Sequence, residues 1–351
     1  MKTIKKSIRV FLALVLLVSF FPFSLLAQDN NQGAITVLGG ASRTGTAAAQ
    51  FLQLGVSARA TGMGETFVAL VDDASGAFYN PGVLALIENR QAFFNHTNLP
   101  AGLAHYFGSF ILPTNSMGTF ALSFIALTTG DIPVTVAFQG PTGENFSATE
   151  IAIGLTYSKS LTDRFAIGGT AKFIAQDLAG FDSRTVAFDI GTIYFAGYRH
   201  ARLGMSISNF GPDITFGSES DVGFESQSFP MPLTFRFGVA VDLMYSDDSK
   251  LWLTGQLNQP NDNLRYQSIG LEYGYHDLIF LRTGFKIDEE NNDILDDDGN
   301  KIEDGSGFAE SLSFGAGINL DVSGVNGRFD VSWTKMTNFD DLVRFSVLLG
   351  F

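Results

Sequence analysis

The sequence predicts an all-β chain, a transmembrane antiparallel β-barrel of about fourteen strands preceded by an N-terminal plug segment. Three observations predict it. Segments of about 9 to 12 residues repeatedly alternate apolar with polar or small side chains, which is the length and period of a tilted strand crossing a bilayer. The connections between these segments sort into short and long ones on opposite sides. The last segment ends on an aromatic residue, Phe351.

Composition fits that class and narrows it. With 45% hydrophobic and 17% charged residues the chain is less apolar than a multi-span helical protein. No stretch beyond the N-terminal region reaches the roughly 18 to 20 continuous apolar residues of a spanning helix. The 34 Phe favour strands, and the 38 Gly suit closely packed or curved sheets. The absence of Cys excludes disulfides and a lipid anchor on an N-terminal Cys.

Residues 1–27 read as a signal peptide. Lys2, Lys5, Lys6 and Arg9 form a basic start, Val10 to Phe23 an apolar stretch, and Ala27 precedes the polar run Gln28-Asp29-Asn30-Asn31. A retained helical anchor is the alternative, since Leu25 is larger than the residue preferred three places before cleavage; Pro22 favours removal. Loss of those four cations takes the net charge from −14 to −18, an acidity that argues against nucleic acid as a partner.

Residues 90–351 read as the barrel. Candidate strands fall at 90–98, 103–112, 118–128, 147–159, 164–178, 184–196, 200–208, 231–242, 249–258, 264–275, 278–286, 308–320, 326–334 and 342–351. The clearest runs from Leu233 to Leu243, apolar on one face and carrying Thr234, Arg236, Gly238, Ala240 and Asp242 on the other. Alternation alone also fits a soluble sandwich, whose second sheet would cover the apolar face. Loop length separates the two. With the C-terminus in the periplasm, the short links at Pro113-Thr114-Asn115, Leu161-Thr162-Asp163, Gly197-Tyr198, Ser246-Asp247-Asp248, His276-Asp277 and Ser323-Gly324 all lie on the periplasmic side. The long ones, Gly130 to Phe146, Gly211 to Pro230 and Ile287 to Gly307, all lie outside, the arrangement of outer-membrane barrels.

On the final segment Val343, Phe345, Val347, Leu349 and Phe351 share one face. That pattern resembles the terminal assembly signal of outer-membrane barrels. Lys172, Asp189, Arg236, Asp242, Arg282, Arg328, Asp330 and Arg344 fall on faces assigned to the lumen, where charge avoids lipid and pairs across strands or lines a pathway.

Residues 28–89 lack sustained alternation and read as a plug or periplasmic segment. Gly62 and Gly64 permit tight turns, Asp72, Asp73 and Ser75 suit the start of a short helix, and Pro81 suits the first turn of another. The run from Phe51 to Leu84, with Ala58-Arg59-Ala60-Thr61-Gly62-Met63-Gly64, Val71-Asp72-Asp73-Ala74-Ser75 and Phe78-Tyr79-Asn80-Pro81, resembles the N-terminal signature of the PorV/PorQ family. That family is similar in turn to FadL-type hydrophobic transporters. The resemblance implies an outer-membrane location, fourteen strands and an N-terminal plug, with Arg59, Gly62, Gly64, Asp72, Asp73, Ser75, Asn80 and Pro81 as the plug motif. It implies two functions, handling of exported proteins with type IX secretion components or passive transport of a hydrophobic ligand. The family motif continues Asn-Pro-Ala, whereas Asn80-Pro81 is followed here by Gly82.

Little else carries chemistry. The acidic loop from Ile287 to Gly307 offers oxygen ligands for Ca²⁺, with Asp296, Asp298 and Asp304 as candidates, but counting back from Gly299 puts Ile294 at the first EF-hand position. A solvated, self-repelling loop is the simpler reading. His96, His105, His200 and His276 show no zinc spacing, and a hydrolase built on His105 and Ser109 rests on spacing alone. No enzymatic activity and no cofactor are expected; the expected partners are outer-membrane lipid with exported cargo and secretion proteins, or a hydrophobic ligand.

Overall fold

Fourteen strands place small and polar side chains inward and large apolar ones outward. The computed structural model describes residues 46–351 apart from 115–116, 137, 139, 219–226, 264, 289–311, 323 and 337–339. The signal peptide expected over residues 1–27 and the Ca²⁺ candidates Asp296, Asp298 and Asp304 lie outside the described residues. The barrel strands are β1 (Gln91–Asn98), β2 (Ala104–Thr114), β3 (Gly118–Thr128), β4 (Ala148–Thr162), β5 (Phe165–Leu178), β6 (Phe181–Phe195) and β7 (Arg202–Phe210). They continue with β8 (Thr234–Tyr245), β9 (Ser249–Pro260), β10 (Tyr266–Tyr275), β11 (Ile279–Asp288), β12 (Leu312–Val322), β13 (Val325–Thr334) and β14 (Leu342–Gly350).

Each strand pairs antiparallel with the next, and β14 pairs with β1 in the register Gln91↔Gly350 through Thr97↔Arg344. Closure gives every barrel strand a neighbour on both sides, the condition for a sheet in hydrocarbon. In β4 Ala152, Gly154, Thr156 and Ser158 are buried while Ile151, Ile153, Leu155 and Tyr157 are exposed. A soluble sandwich would bury that second set. Exposure of Leu122 at 56%, Leu155 at 61% and Leu281 at 56% therefore marks the outer wall as lipid-facing. Val343, Phe345, Val347, Leu349 and Phe351 belong to this outer face.

One connection is more ordered than its sequence reading as a plain loop. Between β3 and β4 an external hairpin joins Ile132–Val136 to Gly140–Phe146. Ile132, Val134 and Val136 alternate as strand residues do, and Pro133 is tolerated because the hairpin is all edge. Shorter pairings at Ile214–Thr215 with Ser228–Phe229, and at Gly217–Ser218 with β6, similarly structure the connection between β7 and β8.

Residues 46–88 run through the space the barrel encloses. From Phe51 to Leu84 every residue is buried except Gln53, Leu54, Glu65 and Asp72. Only short helical pieces form, α1 (Ala58–Thr61), α2 (Gly76–Tyr79) and a 3₁₀ turn (Pro81–Leu86). Phe67, Phe78 and Tyr79 meet edge to face and pack with Phe51, Leu52 and Phe107 into the apolar core.

Candidate functional site

The inner segment is tied to the wall all round. The backbone N–H of Ala58 donates to Ser346 Oγ on β14 at 2.7 Å, and Thr61 Oγ1 lies 2.6 Å from Ser332 Oγ on β13. Gln256 Oε1 on β9 accepts from both Phe67 and Val68 N–H at 2.9 Å. On the opposite side Ser109 of β2 donates to the Ala74 carbonyl at 2.7 Å, and Ser158 of β4 to that of Gly82 at 3.0 Å. These pairings satisfy irregular backbone that would otherwise be unpaired at membrane depth.

Close approach is made possible by glycine. A Cβ on Gly62 would come 2.9 Å from Gly315 Cα of β12, and one on Gly284 of β11 would run into the Met63 carbonyl. Gly64 has φ +65°, a conformation most side chains resist, whereas Gly62, at φ −62°, is needed for space and not for its torsion. Gly82, where the family motif has Ala, packs on Gly191 of β6 so closely that a Cβ would lie 2.9 Å from its carbonyl carbon.

Asn80 fixes this corner. Its Nδ2 donates to Val68 O at 2.8 Å and to Thr192 O of β6 at 2.9 Å, while Oδ1 accepts from Gly82 N–H at 3.1 Å and caps the 3₁₀ turn that Pro81 opens. Asn80→Ala would orphan groups that are wholly buried, at about 1–3 kcal/mol each. The expected result is a folded barrel that loses its heat-resistant gel mobility at a lower temperature than wild type.

The strongest link is ionic. Arg59 of α1 presents Nε and Nη2 to the two oxygens of Glu272 on β10, each at 2.7 Å. Its Nη1 pairs with Asp72. Glu272 Oε2 also accepts from Arg282 Nε on β11 at 2.6 Å, and Arg282 Nη1 reaches Asp330 Oδ1 on β13 at 2.7 Å. Gly317 of β12 lies between those strands and leaves room for that bond. Asp330 Oδ2 accepts from Arg328 Nε at 2.9 Å, and Arg328 returns to the inner segment by pairing with Asp73. Three guanidinium groups and four carboxylates thus form a ring through three inner residues and three wall strands, closed by Arg59 and Asp73 at 3.8 Å; only Asp72, its side chain 48% exposed, reaches solvent substantially.

The expected site residues separate into these roles. Asp73, not Asp72, sets up α2, its Oδ1 accepting from Ser75 N–H at 2.9 Å and from Ser75 Oγ. Asp72 is taken by Arg59 and caps nothing. All eight proposed lumen charges face inward, but only Arg282, Arg328 and Asp330 join the ring. Lys172 pairs with Asp189 at 2.8 Å, Asp242 accepts from exposed His200 at 2.9 Å, and Arg236 donates to Ser208 at 3.0 Å and lies over Phe78. Arg344 has no ion pair among the described residues. His105 and Ser109 are four residues apart on one extended strand, roughly 13 Å at 3.3 Å per residue. They make no hydrogen bond to each other, so the spacing behind the hydrolase idea does not assemble a site.

A cavity of ≈320 Å³ opens at the short-turn end, with Arg59, Asp72, Glu272 and Arg328 on its inner side and His200, Arg202, Tyr245, Lys250 and Trp252 nearer the rim. Glu272 and Arg202 escape the sequence reading. Both are legible there, since Ser268-Gly270-Glu272-Gly274 and Arg202-Gly204-Ser206-Ser208 share polar faces of alternating strands.

The family model described as "Type IX secretion system protein PorV" matches residues 39–260, the inner segment together with β1 to β9. This chain belongs to the PorV family. PorV-family proteins are outer-membrane barrels, which places the apolar outer wall in lipid. Curated protein sequences give no match. Among solved structures, the Pseudomonas putida toluene transporter TodX is similar at a TM-score of 0.56 and 10% identity, over 84% of this chain and 98% of that one. A Pseudomonas aeruginosa FadL homologue is similar at 0.50 and 12%, with the same coverage. These two share the fold of this PorV-family barrel. The matched range contains Arg59, Asp72 and Asp73 but ends before Glu272, Arg282, Arg328 and Asp330, so four of the seven members of the ionic ring lie outside it.

Proposed function

We propose that this barrel is a type IX secretion-associated component that handles exported proteins at the outer membrane, its lumen closed by residues 46–88. The family match over residues 39–260 carries the reading. The interior supports a closed lumen, because residues 51–84 are almost wholly buried and bonded to β2, β4, β9, β10, β13 and β14. Deleting the gene is expected to strip the cell surface and medium of proteins exported by this route and to leave them in the periplasm. An unchanged surface and secreted profile would remove the proposal.

A second reading, passive uptake of hydrophobic small molecules, draws on the fold shared with the toluene transporter TodX. It predicts that the deletion strain takes up toluene or long-chain fatty acid more slowly, with protein export intact. The two phenotypes are separable in one strain. For either reading, purified wild-type protein in a planar bilayer is expected to pass little current. A steady open conductance of porin size would show that the inner segment does not close the lumen.

A further inference from the structure

Arg202, the first residue of β7, stands apart from the ionic ring. Opposite it on β8 is Ala240, fully buried and small, which leaves the guanidinium free to reach across β8 towards β9. There its Cζ lies 4.8 Å from the Trp252 ring centroid, with Phe195 of β6 at 5.6 Å. The other cations of the cavity have carboxylate partners: Arg59 has Glu272, Arg328 has Asp330, and Lys250 has Asp277 at 2.7 Å. Arg202 has none among the described residues, and its buried Nε meets no acceptor.

Stacking engages the faces of a guanidinium and leaves its edge, a planar fork of N–H donors matched to two parallel acceptor oxygens. Arg202 lines a cavity with Tyr245 and Phe280. A guanidinium with no carboxylate partner is unfavourably placed at a largely buried site, so an acceptor in the cavity gains by pairing its charge. Asp72 and Asp277 on the same walls set a limit. They repel a second negative charge, favouring a monoanion over inorganic phosphate.

We propose that this cavity binds a small organic carboxylate, its oxygens on the Arg202 edge and its apolar body against Trp252 and Phe280. At ≈320 Å³ the cavity is near the lower end of ligand pockets, about 300–1,000 Å³, and suits a compact acid such as a benzoate. Neither reading of the barrel's function is assumed.

Trp252 is one of two tryptophans, so in a Trp333→Phe background it is the sole indole reporter of the full-length protein in detergent. Benzoate is expected to quench it saturably, while benzyl alcohol and inorganic phosphate at the same concentrations do not. Arg202→Gln is expected to weaken benzoate about tenfold or more, as loss of a charge-assisted hydrogen bond requires, whereas Arg199→Gln at the exposed neighbouring turn leaves it unchanged. Should Arg202→Gln fail to assemble, Arg202→Lys, which keeps the charge and loses the fork, is expected to weaken binding in the same direction. Trp252→Phe, read by calorimetry, checks the platform and is expected to weaken binding without abolishing it. Absence of saturable quenching, equal binding of benzyl alcohol or phosphate, or undiminished affinity in the assembled Arg202 variants would overturn the proposal.

Discussion

Glu272→Gln is expected to give a barrel that assembles, unfolds at a markedly lower temperature and exposes its inner segment to protease. Glu272 accepts from both Arg59 and Arg282, and is nearly inaccessible to solvent. The amide keeps the shape but removes the charge, and its N–H₂ group faces guanidinium donors. Breaking a buried ion pair by changing one partner typically costs about 3–5 kcal/mol, because the remaining charge is left in a poorly solvating place. Here two charges are left, although Asp72 still holds Arg59 and Asp330 still holds Arg282. Comparison with Arg59→Leu separates the links. That change frees the inner segment but leaves Glu272 paired with Arg282, so it is expected to release residues 46–88 with less loss of wall stability. A double variant less destabilised than the sum of the two would measure their coupling directly. An unfolding temperature unchanged in Glu272→Gln would mean that water, not this carboxylate, balances the arginines.

Much of the barrel is legible in the sequence because a strand's period of two converts order along the chain directly into face. Each of the fourteen segments from 90–98 to 342–351 overlaps a barrel strand, since the outer face must be apolar for lipid and loop parity then fixes direction. The external hairpin is not legible, because a β-branched run inside a polar loop is a weak signal when no face of it is buried. The candidate site was legible only in its inner half. Arg59, Asp72 and Asp73 stand in the family motif, but the wall partners of Arg59 and Asp73 lie some 200 or more residues away, and alternation places Glu272 on the inward face without saying what it meets. For Gly62 the sequence suggests a torsional role whereas its role is space, because the neighbour that needs the space is Gly315, far along the chain.

That dependence on distant glycines supplies the second large effect. Gly284→Val is expected to leave the barrel assembled but to unseat the inner segment. Valine is a better strand residue than glycine, so the wall alone gains from the change. Gly284 is opposite Gly270 and Ser313, and its inner side is occupied by the Met63–Gly64 backbone. The conflict therefore falls on the chain passing over it. The segment has little freedom to move aside, because Gly64 is already in the left-handed region and Arg59 and Thr66 are fixed to β10 and β9 on either side of the turn. Displacing it breaks those links together, so the variant is expected to retain the heat-shifted mobility of a closed barrel while gaining protease cleavage within residues 46–88 and a raised, fluctuating current. Gly255→Val, on the outer face of β9 with nothing near its Cβ position, is expected to change neither. If Gly284→Val resists protease and stays closed as the wild type does, the wall yields before the inner segment, and the closure assigned to residues 46–88 rests on something other than this contact.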